Sequence, residues 1–204
     1  MEKLELPNFG VIHSRLPKQL YDSLMKEILS IKKPKPRGPG LYIDYENTMI
    51  SNLTEKGVSE HYFISEKNTY KIYEVIQKMI DKYKEVFPNY LDGIKYLDRN
   101  VPLGFKTPWV NFQKKNEYLP LHEHGGVLSY NIWMKIPIKS IFEYNYNSII
   151  GKNLIHRINL TEKDEGRIVL FPAQLQHVVY PFYNSNKIRM SIAGNILLNT
   201  NETT

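Results

Sequence analysis

The sequence contains no cysteine among its 204 residues. Disulfide bonds, thiolate metal sites and cysteine nucleophiles are therefore excluded. Long hydrophobic runs are also missing: no window approaches the length of a membrane span, and residues 1–7 have no apolar core of the signal-peptide type. From these absences we expect a cytoplasmic protein with no membrane segment.

The chain has only a small excess of charge. Its 27 lysine and arginine residues against 21 aspartate and glutamate residues give a formal net charge of +6, and most lysines are scattered along the sequence. One basic cluster lies at residues 32–37, in a stretch rich in proline and glycine. It could contact an anionic partner, but a solvated loop is the simpler interpretation. Nucleic acid is therefore not an expected partner.

The first half of the chain has two helical patterns. The sequence is 42% hydrophobic and contains 15 tyrosines, which is ample material for a core. Apolar residues recur at helical spacing after Pro17 and predict one amphipathic helix. A second, wider stripe predicts a helix over residues 69–86 with Thr69 as its N-cap.

The second half of the chain has the pattern of a β-protein. From about residue 100, periodicity shortens and β-branched and aromatic residues cluster. Such spacing favours a sandwich or barrel, with the helices packed on one outer sheet face and residues 38–66 and 138–153 as loops at its mouth. The strand candidates are residues 104–105, 109–113, 127–136, 153–158, 167–171, 178–182 and 188–197.

Two histidines, His122 and His124, stand two positions apart between strand candidates. In an extended segment such residues point to the same face, so the pair is a candidate corner of a metal site. Glu123 would point to the other face unless a bulge at Gly125 and Gly126 re-aims it. Two partly solvated histidines near a turn are the alternative interpretation.

A second polar group lies near the C-terminus. A strand candidate that ends at Pro172 is followed by His177, and Arg189 and Ser191 share one face of the last strand candidate. An arginine that faces a closed interior is costly unless it is paired. A carboxylate ligand held by a two-pronged hydrogen bond would supply that partner.

The order of these motifs, H-x-H, then G-x-x-x-L-F-P, then His, then R-x-S, resembles that of the iron(II)- and 2-oxoglutarate-dependent oxygenases. It is closest to the prolyl-4-hydroxylase-like branch, which includes phage-type members, and it covers residues 100–197. The resemblance implies a mainly β double-stranded β-helix, a jelly-roll or cupin-like barrel with N-terminal helices. One domain would span residues 1–198, with helical support and edge strands in 1–99, a metal-bearing core in 100–198 and a flexible tail at 199–204.

The resemblance also implies the ligands of the site. His122 and His177 correspond to iron ligands, and Arg189 with Ser191 to the residues that bind the far carboxylate of 2-oxoglutarate. The usual carboxylate ligand, two residues after the first histidine, is replaced here by His124.

Three ligand sets therefore stay open. His124 completes a three-histidine face, or Glu123 turns inward and takes its place. In the third set His124 is the first ligand and Gly126 stands at the vacated carboxylate position, and a site without metal is the remaining alternative.

Further candidates are implied around the metal. Tyr118 and Asn111 would contact the co-substrate, and Ser129, Asn131 and Trp133, which alternate on one strand face, would line the substrate pocket. The expected protein is a dioxygenase that uses Fe(II) and 2-oxoglutarate, hydroxylates a small molecule or protein that no motif identifies, and releases succinate and CO2. A non-catalytic cupin-like barrel that acts as a binding or structural module is the alternative.

Overall fold

The computed structural model of the chain describes residues 10–31, 35–36, 43–44, 60–88, 90, 102–147 and 153–199. Across these residues the chain forms two antiparallel β-sheets and two α-helices. The expected mainly β fold with helices on one outer sheet face is confirmed.

The larger sheet has the strand order β1-β11-β8-β13-β6-β4-β2, with β5 beside β13. Adjacent strands pair in antiparallel fashion. The strand order places β8 and β13 near the middle of the sheet. Its strands are β1 (Ile12–Arg15), β2 (Lys35–Pro36), β4 (Glu60–Phe63), β5 (Leu103–Phe105), β6 (Trp109–Gln113), β8 (Leu128–Lys135), β11 (Arg167–Pro172) and β13 (Arg189–Leu198).

The smaller sheet has the order β10-β9-β12-β7-β3. Its strands are β3 (Ile43–Asp44), β7 (Glu117–His122), β9 (Ser140–Asn147), β10 (Asn153–Leu160) and β12 (Gln176–Val179). A short 3-10 turn, Glu162–Asp164, leads from β10 towards β11. The two sheets pack face to face, because Trp133 and Phe171 of the larger sheet join Phe142 and Tyr144 of the smaller one in a single apolar cluster.

The two helices, α1 (Lys18–Leu29) and α2 (Glu66–Val86), cover the other face of the larger sheet. Strand alternation creates this second layer: Ile168 and Leu170 of β11 pack towards the helices, whereas Val169 and Phe171 pack between the sheets. The helix side is almost entirely apolar, so burial of its side chains is the main source of stability there.

A polar contact joins the two helices. The Glu27 carboxylate accepts hydrogen bonds from the Ser65 backbone N–H at 2.6 Å, the Ser65 hydroxyl at 2.8 Å and the Asn68 side-chain amide at 2.6 Å. Ser65 is the N-cap of α2. A negative charge at a helix N-terminus is favourable, so α1 supplies the capping charge of α2.

Three sequence predictions are wrong in detail. The N-cap of α2 is Ser65, while Thr69 lies inside the helix and donates to the Ile64 carbonyl. The strand expected at 178–182 is Gln176–Val179, since Pro181 has no N–H for the ladder. Residues 138–153, expected as a loop, contain β9.

Other predicted segments lie partly outside the described residues. These are the basic cluster at 32–37 apart from β2, the tail after residue 199, and most of the loop expected at 38–66. The described part of that loop contains the strands β3 and β4. Among the helices that are described, neither combines the length and the apolar character that a membrane crossing requires.

Candidate metal centre

His122 is the last residue of β7 and pairs directly with His177 of β12. The next pair along the ladder is Leu119 with Val179, so β7 uses three steps where β12 uses two. This irregularity is a β-bulge, and it lets both Leu119 and His122 face inward although they are an odd number of residues apart. In the part of β7 before the bulge, each side chain therefore points to the face opposite to the one that regular alternation from His122 would give.

His124 lies just beyond β7 and is held by the backbone. Its N–H donates to the Ala173 carbonyl at 2.8 Å, which ties the segment to the end of β11 in the opposite sheet. Gly126 then turns the chain into β8 with φ +120°, and a Cβ at this position would lie 2.7 Å from the Ile196 carbonyl oxygen. Only glycine fits both the positive φ and this close approach. The adjacent Gly125 has open space around it.

His177 is the deepest of the three histidines, with 3% of its surface exposed. The rings of Phe142 and Phe171 pack beside it, with centroid distances of 5.5 and 5.1 Å. Its Nδ1–H donates to the Leu175 carbonyl at 2.9 Å, and His122 makes the same contact with the Pro120 carbonyl at 2.8 Å. A protonated Nδ1 leaves the lone pair on Nε2, so both rings present Nε2 as a ligand atom.

The three imidazoles converge on one point. Their candidate ligand nitrogens all lie within 4.8 Å of one another, and the Nε2 atoms of His124 and His177 are 3.2 Å apart. Burial, followed by the charges that His122 and His124 would carry, holds the pKa of His177 well below its ordinary value. Burial also lowers the pKa of His122. Both shifts favour the neutral rings of His122 and His177, the form that binds metals.

The donor set fits a first-row transition metal. Neutral imidazole suits iron, zinc, copper and nickel, whereas magnesium and calcium require oxygen ligands. For metal–nitrogen bonds of about 2.1 Å, two ligands at a right angle stand about 3 Å apart, close to the spacing of His124 and His177. Glu123 is exposed and does not belong to the cluster.

A cavity of about 580 Å³, its open mouth included, lies beside the histidines between the two sheets. Arg189 and Ser191 of β13 line it together with Asn111 of β6. Arg189 is 5% exposed, so its guanidinium is a buried positive charge in the wall. Asn111 accepts a hydrogen bond from the Trp109 indole N–H at 3.0 Å. One cavity is thus lined by the three histidines and by Arg189, all of which the sequence singled out.

Two of the predicted positions lie elsewhere. Tyr118 shares the phase of His122 in a regular strand, but the bulge moves it out of phase, and it does not line the cavity. Ser129 is buried and donates to the Asn195 side-chain oxygen at 2.9 Å instead of lining the cavity. Asn131 and Trp133, from the same strand face, do line it.

The apolar part of the lining was not predicted from the sequence. Trp109, Phe142, Phe171 and Val179 form much of the wall. Trp109 shares the phase of Asn111 in β6, so strand alternation could have identified it. The other three required knowledge of which strands face each other.

Comparison with known proteins agrees with this geometry. Residues 107–195 match the model of the family described as "Putative 2OG-Fe(II) oxygenase". This region contains the three histidines, Arg189 and Ser191. A search of curated proteins found no match.

Solved structures share the fold at low sequence identity. A prolyl-4-hydroxylase from Pseudomonas putida aligns with a TM-score of 0.57 and 12% identity, covering 94% of this chain and 94% of its own. The viral collagen prolyl hydroxylase of Paramecium Bursaria Chlorella virus-1, in its 2OG complex, gives 0.53 and 13%, covering 91% and 94%. HygX from Streptomyces hygroscopicus, with nickel, 2-oxoglutarate and hygromycin B bound, gives 0.55 and 10%, covering 95% and 84%.

The family match over residues 107–195, together with the fold and the histidine cluster, bears out the expected resemblance to the 2OG-Fe(II) oxygenases. The expected enzyme class and the expected cofactors, Fe(II) and 2-oxoglutarate, are thereby confirmed. A phage-type origin stays a prediction.

Proposed function

We propose that His122, His124 and His177 hold Fe(II) through their Nε2 atoms, and that the enzyme hydroxylates a small molecule or a peptide. The observation that carries this proposal is the convergence of the three ligand nitrogens within 4.8 Å, beside a cavity that also exposes Arg189. With its metal bound, such a site supplies an oxidation in which 2-oxoglutarate and O2 give succinate and CO2, and one oxygen atom enters the substrate.

The two backbone carbonyls behind the histidines act as positioning groups. The Pro120 and Leu175 carbonyls accept the Nδ1 protons of His122 and His177 and so fix both the tautomer and the ring orientation. His124 takes the position of the usual carboxylate. Its backbone contact with Ala173 supports this role, since it anchors the segment across the two sheets.

Arg189 binds the far carboxylate of 2-oxoglutarate in this proposal, and Ser191, two residues along the same strand face, donates a further hydrogen bond. A guanidinium matches a carboxylate with two parallel N–H donors. The buried position of Arg189 strengthens the attraction, because the surrounding dielectric is lower than that of water. Asn111 pairs with Ser191 from the neighbouring strand and also lines the cavity, so in this proposal it contacts the same ligand.

The substrate enters the remaining part of the cavity, next to Asn131 and Trp133. Prolyl hydroxylases and a protein that holds hygromycin B share the fold, which is compatible with a peptide or a small molecule. The cytoplasmic location stays a prediction.

Turnover of 2-oxoglutarate tests the proposal. The purified protein with Fe(II), ascorbate and O2 should convert 2-oxoglutarate to succinate slowly even without its substrate, because the co-substrate oxidation can run uncoupled. His177→Ala and Arg189→Ala should each abolish succinate formation. Lys78→Ala, an exposed position on α2, is the control and should keep the full rate.

Binding measurements separate the two roles. With Ni(II) as a redox-inert probe, His177→Ala should lose metal, whereas Arg189→Ala should keep metal and lose 2-oxoglutarate affinity in calorimetry. Wild-type protein that binds metal but shows no heat with 2-oxoglutarate would contradict the assignment of Arg189 and favour a non-catalytic binding module.

A further inference from the structure

The cavity beside the histidines has an unusual charge balance. Within the part of the chain that the structure describes, its lining contains no aspartate or glutamate, while Arg189 contributes a positive charge. The polar groups that complete the wall, Asn111, Asn131 and Ser191, are neutral. The described lining therefore presents positive and neutral side chains to a bound molecule.

The proposed ligand set makes this imbalance larger. Three imidazoles bind a divalent metal as neutral ligands, whereas two imidazoles and one carboxylate would remove one positive charge. When 2-oxoglutarate binds, its far carboxylate is matched by Arg189 and its other carboxylate neutralises one of the two metal charges. The metal and its ligands then keep one net positive charge, which His124 in the carboxylate position leaves uncompensated.

The surroundings do little to screen this charge. The cavity has aromatic walls, formed by Trp109, Trp133, Phe142 and Phe171. Phe142 and Phe171 also pack against the His177 ring. A net charge in an apolar cavity is costly, and an opposite charge brought close to it is attracted more strongly than in water.

Nearby carboxylates of the described residues do not offset it. Glu123 is exposed and outside the cavity lining, so water and salt screen its charge. Glu143 of β9 is buried, but it alternates with the inward-facing Phe142 and Tyr144 and accepts a hydrogen bond from Arg157 of β10 at 2.5 Å. Arg157 therefore pairs with the Glu143 charge on the face of the smaller sheet that points away from the cavity.

We propose that the substrate of this enzyme is a carboxylic acid with an apolar body, whose carboxylate balances the charge that His124 leaves on the metal centre and whose body packs against the aromatic walls. This inference rests on the proposed function. It goes further by naming the chemical group that the cavity selects, and it assigns that selection to the histidine at position 124.

A matched pair of probe ligands tests the proposal without turnover. The protein is loaded with Mn(II) and saturating 2-oxoglutarate in the absence of O2, and 3-phenylpropanoate or 3-phenylpropanamide is added. Paramagnetic relaxation of the probe protons measures binding near the metal. The acid should bind at least tenfold more tightly than the amide, which corresponds to about 1.4 kcal/mol.

Charge variants connect the preference to the site. His124→Asp supplies the missing negative charge on a residue that can still bind the metal, and it should reduce the acid-to-amide ratio towards one. Asn131→Asp adds a negative charge to the cavity wall without changing a ligand and should act in the same direction. Lys78→Gln lowers the charge by one unit at an exposed position on α2, outside the cavity lining, so it should retain the preference of the wild-type protein.

Each outcome is decisive. Equal binding of acid and amide, no binding of either, an unchanged ratio in both aspartate variants, or displacement of 2-oxoglutarate by the acid would overturn the proposal. Failure of the wild-type protein to bind Mn(II) or 2-oxoglutarate at all would instead overturn the proposed function, and calorimetry before the probe is added distinguishes the two.

Discussion

The two faces of the larger sheet have opposite characters. Towards the helices, Leu128, Ile132 and Met134 of β8 are each completely buried in an apolar cluster. Towards the smaller sheet, Asn131 from the same strand lines the cavity that contains the histidines and Arg189. Neighbouring residues of one strand thus belong to two different environments.

This difference separates stability from chemistry. Close packing stabilises the helix-facing layer, so removal of side-chain volume there lowers the free energy of unfolding. The cavity-facing layer contains a buried guanidinium and a cluster of imidazoles, polar groups whose removal from water costs free energy. Substitutions in the two layers should therefore change different measured quantities.

The largest effect is expected at His177. His177→Ala should weaken metal binding by more than a hundredfold, since even partners behind the ligands typically contribute about 10–100-fold. The free energy of unfolding of the metal-free protein should fall by only about 1 kcal/mol. Calorimetric titration with Ni(II) and urea denaturation measure the two quantities. A variant that keeps wild-type metal affinity would remove His177 from the ligand set.

Ile132→Ala is the converse case on the helix side. Truncation of a fully buried isoleucine should lower the free energy of unfolding by about 2–5 kcal/mol, while metal affinity stays within a factor of three or so. Asn131→Ala, one residue earlier and on the cavity side, is the matched control and should cost less than about 1 kcal/mol. Similar losses of stability in both variants would show that the two layers do not differ as argued.

The two adjacent glycines test the turn that follows His124. Gly126→Ala should cost about 1–3 kcal/mol, because its φ is positive and the added Cβ meets the Ile196 carbonyl. Gly125→Ala has open space and should change stability by less than about 0.5 kcal/mol. Thermal unfolding of both variants measures the contrast. Equal shifts would mean that the positive φ at Gly126 is not required.

The smallest effect is expected at the contact between the helices. Glu27→Gln retains the shape of the side chain but removes the negative charge at the N-terminus of α2. The expected loss is about 0.5–1 kcal/mol, and it should shrink at high salt. Glu85→Gln, an exposed residue near the other end of α2, is the control for the loss of a surface carboxylate. Urea denaturation at low and high salt checks the difference.

Local patterns in the sequence predict much of the fold. β6 was predicted with its observed bounds, Trp109–Gln113, because β-branched and aromatic residues fill it. β9 was missed because Glu143 and Asn145 interrupt its apolar pattern. The partner that allows Glu143 to be buried, Arg157, lies on β10, fourteen positions away in sequence. Such pairing between strands is not visible in a local window.

The candidate site shows the same limit. The spacing of His122 and His124 and the order of His177 and Arg189 singled out residues that the fold brings to one cavity. Tyr118 was predicted to contact the co-substrate but does not line this cavity, because a bulge in β7 reverses the strand phase between Leu119 and His122. A bulge depends on the register of two paired strands, so alternation along one strand does not predict it.

The central claim is that three imidazoles, with no carboxylate, hold the metal. A crystal structure of the protein loaded with Fe(II) and 2-oxoglutarate without O2 tests it most directly. We expect the Nε2 atoms of His122, His124 and His177 at about 2.0–2.2 Å from the metal. A metal bound by the Glu123 carboxylate in place of His124, or bound away from His177, would contradict the account.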